Sequence, residues 1–234
     1  MRWIAAALAM GLLTSGCADV IDGTAVTAEN PGAAATTSAA PTPTLVPTAS
    51  LSSLLLKRSE LGDIVGDTDM TQQQEINSPM PAEAVHLDPF DCRARALPAE
   101  EGLDLPSVQG IAGNVNRGAR GMGVTQVVGV FTNRKDAADS PTFVLGTWKV
   151  CKDGQVYTID TGNGGSQHWT AGPITGSNTR IETTATRQEP PPRTCHHIVT
   201  VQANVEVETI VCGDGDTTAQ ANMVVDRILA KVPL

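Results

Sequence analysis

Large rings are nearly missing from this chain: Phe, Trp and Tyr make up 3% of it, and one of its three tryptophans, Trp3, stands at the extreme N-terminus. A core has to be assembled from Val, Ile, Leu and Ala instead. Positive charge is also scarce, with 16 Lys and Arg against 25 Asp and Glu and a formal net charge of −9. A surface of that sign repels phosphate backbones and excludes nucleic acid as a partner. No apolar run reaches the roughly 20 residues that a membrane-spanning helix needs.

Reactive constellations are missing too. His196 and His197 are neighbours on a predicted strand, so their side chains point to opposite faces and do not share a metal. His86 and His168 have no ligand spacing around them, which leaves hydrogen-bonded or solvated histidines and no metal or other cofactor. Gly165-Ser166-Gln167-His168 sits in turn context rather than in a strained nucleophile elbow. The run from Arg117 to Gly123 lacks the strand before and helix after that a phosphate loop requires. Gly213-Asp214-Gly215-Asp216 is acidic but lacks calcium-loop spacing, and Asp216 is better used as a helix cap.

The N-terminus does carry a signal. Met1-Arg2 is a short positive start and Trp3 to Leu13 an apolar run of export-signal length. Leu13-Thr14-Ser15-Gly16-Cys17 follows and resembles a bacterial lipobox, with Thr14 where a Leu is usual. Residues 1–16 are thus expected to be removed and Cys17 to carry lipid. The chain has five cysteines, an odd number for an exported protein, and lipid on Cys17 leaves Cys92, Cys151, Cys195 and Cys212 to close two disulfides. A diacyl anchor would hold the chain at the extracytoplasmic face of the cell membrane. Residues 17–50, rich in Ala, Thr, Pro and Ser, cannot bury enough surface to offset ordering and read as a disordered linker.

The folded domain is expected over 51–234. Leu51, Leu54 and Leu55 have helical spacing, and Ser59 is placed to cap a second short helix ended by Gly66. Residues 77–123, crowded with Pro and Gly, read as loops with helical pieces, one of them around Pro89–Leu97 carrying Cys92. Val124–Phe131 reads as a strand. A helix leads to Val144, Trp148 and Cys151; capping by Ser140, with Pro141 first in the helix, avoids the cost of about 3 kcal/mol that Asn133 as cap would impose on an interior proline. Strands are predicted at 155–160, 167–174, 178–187, 194–202 and 205–212, with Gly162 to Gly165 as a hairpin turn. Asp216 or Thr217 opens a final helix whose Ala221, Val224, Val225, Ile228, Leu229 and Val232 form one apolar stripe. Successive hairpins flanked by helices make an α+β domain, a twisted antiparallel sheet packed against helices.

A two-residue turn at Ala203-Asn204 sets Gln202 opposite Val205 and therefore Cys195 opposite Cys212, about 4.5 Å apart at Cα in a non-hydrogen-bonded pair. Ala203 suits a primed turn poorly, so a longer turn stays open. Of the three connectivities, Cys195–Cys212 with Cys92–Cys151 is favoured.

Gly146-Thr-Trp148-Lys-Val-Cys151, Cys195, the segment Val201 to Cys212 and Ile228-Leu-Ala-Lys-Val-Pro233 together resemble the extracellular sensor domain of mycobacterial PknH-type Ser/Thr kinases, found also in stand-alone actinobacterial lipoproteins. The resemblance covers about Leu51 to Leu234. It implies a twisted antiparallel sheet on helices, the same two disulfides and a ligand-binding cleft. Nothing in the 234 residues resembles a kinase domain, so signalling would need a separate envelope protein partner.

The resulting expectation is a non-catalytic sensor whose ligand is an unidentified small molecule, lipid or glycan. Tyr157 and Trp169, on neighbouring predicted strands, are its candidate binding residues, weighed against simple packing; Trp148 reads as core. The alternatives are an envelope hydrolase using Asp153, Asp160, Glu206 or Glu208, and a structural or host-facing surface antigen. Glu206 and Glu208 alternate with Val205 and Val207, as residues on the solvent face of a half-buried strand do.

Overall fold

Among the residues described by the structure, a computed structural model covering 44–100, 103–160, 162 and 165–233, nine strands form one antiparallel sheet. They are β1 (Thr71–Ile76), β2 (Leu87–Asp88), β3 (Val108–Arg117), β4 (Gly123–Phe131), β5 (Val156–Asp160), β6 (Ser166–Ser177), β7 (Arg180–Arg187), β8 (Arg193–Gln202) and β9 (Val205–Gly213). Their spatial order is β1-β3-β4-β9-β8-β7-β6-β5-β2. Five helices flank them: α1 (Leu51–Leu54), α2 (Arg58–Val65), α3 (Arg93–Ala96), α4 (Arg134–Trp148) and α5 (Thr218–Leu229). Residues 1–16, Cys17 and most of the expected linker lie outside the described residues.

One face of the sheet is closed by α1, α2 and α5. Ala221, Val224, Val225 and Ile228 of α5 are fully buried against Ile198, Val205, Val207 and Val211, so the apolar stripe read from the sequence is the side that packs. Gln126, buried in the same layer, both donates to and accepts from the backbone of Leu56 at 2.9 Å. That pairing satisfies the chain where it leaves α1. Gly66 ends α2 with φ 66°, a conformation that costs glycine nothing.

Three boundaries differ from expectation. Packing begins before residue 51: Val46 is buried, its N–H donates to Asn204 Oδ1 at 2.8 Å, and Asn204 Nδ2 donates to the Val46 and Phe131 carbonyls. The end of the linker is therefore tied to the β8–β9 turn by a side chain remote in sequence. Helix α2 starts at Arg58 rather than after Ser59, because the Glu60 carboxylate reaches back to accept the Lys57 N–H at 2.8 Å. Helix α4 starts after Asn133, whose Oδ1 accepts from Asp136 N–H at 2.9 Å, and Pro141 lies inside it. Delaying the helix to Ser140 would leave the backbone of 134–139 without internal partners and Ala137, now buried, without its seat against Phe131.

β3 and the two-residue β2 fall within 77–123, where loops with helical pieces are expected, and β1 falls where no element is predicted. β1 is almost wholly exposed and has no apolar alternation to betray it. β3 contains glycines where the chain needs room: a Cβ on Gly110 would lie 2.4 Å from the Thr48 side chain, and one on Gly113 would lie 2.7 Å from the Gln126 carbonyl oxygen. These glycines mark close approach, not turns.

The central strands are covered on both sides. On the second face α4 sets Val144 and Trp148 against Ile181 and Val199. Glu206 and Glu208, expected to face solvent, are 1% and 5% exposed. Their alternation with valine separates two buried layers rather than core from water.

Candidate ligand cavity

The second face closes over less completely than the first. A cavity of about 290 Å³ lies between the sheet and the segment that carries Met80, Val85 and α3, just under the roughly 300–1,000 Å³ usual for small-molecule sites. Its wall draws residues from β1 and β5, near opposite edges of the sheet, as well as from the strands between. The sheet therefore curls around the cavity. Tyr157 of β5 and Trp169 of β6, which are directly paired, form one side. Ile210 and the Cys195–Cys212 disulfide form the floor, and Leu97 belongs to the covering side. Both aromatic residues are buried rather than displayed on a surface, at 3% and 6% exposure.

Covalent and ionic latches hold the covering segment. Cys92 is bonded to Cys151, 59 positions away, which ties the start of α3 to the end of α4. Arg95, 2% exposed at its side chain, donates from Nε to Thr183 Oγ1 at 3.0 Å and from Nη1 to the Cys151 carbonyl at 2.6 Å. Its Nη2 meets Asp153 Oδ1 at 2.8 Å and also donates to the Gly172 carbonyl. Arg93 donates to the Val85 and Pro81 carbonyls at 2.7 and 2.8 Å and pairs with Glu100. A loop rich in proline thus gains the fixed partners that regular structure would otherwise supply.

Cys195 and Cys212 are joined, with their Cα atoms 4.0 Å apart. They are register partners, as are Gln202 and Val205, so the two-residue turn is Ala203-Asn204, and Ala203 adopts φ 55°.

Beside the cavity runs a buried polar row. His197 Nε2 lies 2.7 Å from Glu208 Oε1, and its Nδ1 lies 3.1 Å from the Arg95 carbonyl. A carbonyl only accepts, so Nδ1 donates, and the contact with Glu208 holds one further proton. Glu208 Oε2 accepts from the Ala99 N–H at 2.8 Å. Trp148 leans on His197, with ring centroids 4.6 Å apart. Next along β9, Glu206 Oε2 is buried without a hydrogen-bond partner among the described residues. Burial, helped by the neighbouring Glu208 charge, holds the Glu206 carboxyl well above the ordinary carboxylate range. On the opposite face His196 Nε2 meets Glu182 Oε2 at 2.9 Å, so the adjacent histidines do diverge.

The carboxylates of the hydrolase reading do not converge. Asp153 is held by Arg95, Asp160 lies exposed near His86 at 3.9 Å, and only about 10 Å³ of space adjoins Glu206 and Glu208. Among the described residues no group of three or more His, Cys, Asp or Glu is arranged to hold a metal, and no helix is long and apolar enough to cross a membrane. Sequence reasoning missed the burial of Arg95, which lies in the short helix expected around Pro89–Leu97, and the burial of His197 with Glu208. The one available signal was that the five strands after α4 hold too many β-branched residues for a sheet bare on one side.

Curled antiparallel sheet, helices on both faces and two disulfides define a stapled α+β domain of the kind exported proteins carry. Residues 46–231 match the family model of the PknH-like extracellular domain, and the chain belongs to that family. The folded part is accordingly extracytoplasmic. The crystal structure of the extracellular domain of PknH from Mycobacterium tuberculosis shares the fold, with TM-score 0.71 and 24% identity over 80% of this chain and 97% of that one. An uncharacterised protein from Mycobacterium smegmatis aligns at TM-score 0.37 and 13% identity, over 75% of this chain and 96% of that one. No curated protein matches.

Proposed function

We propose that this chain is a lipid-anchored, non-catalytic binding module of the cell envelope that takes a small ligand into the cavity lined by Tyr157 and Trp169. The observation that carries the reading is the cavity itself, kept open beneath a segment held by a disulfide and two buried arginines. A core built only for stability would close to the density of an ordinary protein interior. Anchoring through Cys17 is supported by the signal-like run before it and by the even cysteine set left after it. A separate envelope protein would read the occupied state, since among the described residues no reactive constellation adjoins the cavity.

One experiment tests anchor and cavity together. The full chain and its Cys17→Ser variant are expressed in an actinobacterial host, fractionated, and extracted for mass spectrometry. The wild type should stay with membranes, the variant should become soluble, and both should carry a common extractable molecule that raises the melting temperature when added back. Membrane retention of the variant would overturn the anchor. Recovery of no molecule, together with no thermal response to envelope extracts, would overturn the cavity reading.

A further inference from the structure

The chemistry of the cavity wall narrows what it can hold. Resting on the reading above, we infer that its ligand is an uncharged, lipid-like molecule with one hydrogen-bonding oxygen, which meets the Tyr157 hydroxyl. A carboxylate or phosphate would need a free cation. The cation on the wall, Arg95, already directs its guanidinium at Thr183, Cys151, Asp153 and Gly172, and Asp153 neutralises it. Both nitrogens of the nearby His197 already face protein acceptors, the Glu208 carboxyl among them at 2.7 Å, so it offers an anion no donor.

A glycan fails on different grounds. Each sugar hydroxyl taken out of water needs a partner, and each one left without costs roughly 1–3 kcal/mol. Most of the buried polar atoms here are already committed. Both His197 nitrogens face protein acceptors, Thr183 Oγ1 accepts from Arg95, and Trp169 Nε1 donates to Gln167 Oε1 at 3.3 Å. Gln74, Thr125 and Thr184 lie in exposed or half-exposed positions where water serves them.

Tyr157 is the exception. As a residue it is 97% buried and it lines the cavity; its hydroxyl makes no hydrogen bond to a described residue, and its oxygen is not among the fully enclosed unpartnered atoms, so it stays within reach of an incoming molecule. A buried tyrosine hydroxyl normally finds a partner. Burial holds the phenol well above its usual range, against a smaller opposing pull from Arg95, so it stays a neutral O–H donor throughout the physiological range. Elsewhere on the wall Met80, Leu97, Ile159, Ile210 and the Trp169 ring offer only apolar surface. One largely enclosed donor in a mainly apolar chamber, with Gln74, Thr125 and Thr184 at its water-reached side, matches an alcohol, ester, ether or ketone on an aliphatic body.

The test titrates the full exported chain, carrying Cys17→Ser and stripped of bound lipid, with 1-decanol, decanoate and maltotetraose at pH 7 by calorimetry. Decanol should bind at least about tenfold more tightly than decanoate, since burying the ionised carboxylate is costly, and maltotetraose should not bind. Tyr157→Phe should weaken decanol by about three- to tenfold, the worth of one hydrogen bond, without lowering the melting temperature of the unliganded protein. Decanoate or maltotetraose binding as tightly as decanol would overturn the ligand class and leave the cavity reading standing. Unchanged decanol affinity in Tyr157→Phe would overturn the role of the hydroxyl. Binding of none of the three would overturn class and cavity together.

Discussion

The two faces of the sheet solve the same problem with different materials. Under α5 the chain closes its core by shape: Val, Ile and Ala from helix and strand interlock, and regular backbone satisfies itself. Across the sheet, both disulfides, two buried arginines and the His197–Glu208 pair do the holding, and a cavity remains. Cross-links and charges fix a covering segment in place without filling the space beneath it. A face stapled in this way tolerates a void that a face closed by packing alone would collapse.

The largest effect expected from breaking this contrast comes from Cys92 and Cys151. In the chain-entropy account a disulfide enclosing a loop of this length, 59 positions apart, stabilises by about 4 kcal/mol. Replacing both residues with Ser should cost that order of stability in denaturant titrations. Hydrogen exchange should show the 77–98 segment opening well before α5. Uniform loosening of both faces would mean that they fold as one indivisible unit, and the contrast drawn here would fail.

Protons separate the faces by sign. On the α5 side, burial opposes the ionisation of Glu182, but hydrogen bonds from Arg180 and His196 outweigh it and its carboxyl sits below the ordinary value. The unfolded chain therefore binds more protons there, so that stabilisation is complete above the ordinary carboxyl range and is lost as pH falls through the folded value. Glu206 runs the other way. Its folded carboxyl is raised by burial and by Glu208, so the folded state holds the extra proton. Its contribution is fully present below the unfolded value and declines as pH rises toward the folded one. Glu206→Gln should flatten this decline and make the protein more stable near neutrality, while leaving the acid limb governed by Glu182 intact. Urea midpoints between pH 3 and 9 check both limbs. A Glu206→Gln variant with the same neutral-to-acid difference as the wild type would show that this carboxyl is not the source.

How much of the contrast was readable in sequence follows from what each face is made of. Regular packing announces itself: the stripe from Ala221 to Val232 and the β-branched runs of β4 to β9 have the right periods, and a two-residue turn places Cys195 against Cys212 by counting alone. The stapled face has no period. Arg95 lies in a proline-rich stretch, and nothing local reveals that it will be buried against Cys151 and Thr183, which are distant in sequence. Glu206 and Glu208 look solvent-exposed because a charge pattern cannot tell water from a second buried layer. Tyr157 and Trp169 were legible as neighbours on a hairpin, but the cavity between them and the covering segment is a property of the sheet's curl.

The smallest expected effect belongs to neither face. Ala203 starts the turn between β8 and β9, the strands whose two sides carry both kinds of core, and it holds φ 55°. An L-residue with a Cβ is strained there by roughly 1 kcal/mol, whereas glycine is not. Glycine also loses more freedom on folding, so the two terms partly cancel and the net gain should stay below about 1 kcal/mol. Ala203→Gly is therefore expected to raise the denaturation midpoint slightly, with Asn204 still bonded to Val46 and Phe131. Because the turn serves both layers, exchange should slow equally on α5 and on the 77–98 segment. A gain confined to one side would show that the faces are less coupled through their shared strands than a single cooperative sheet requires.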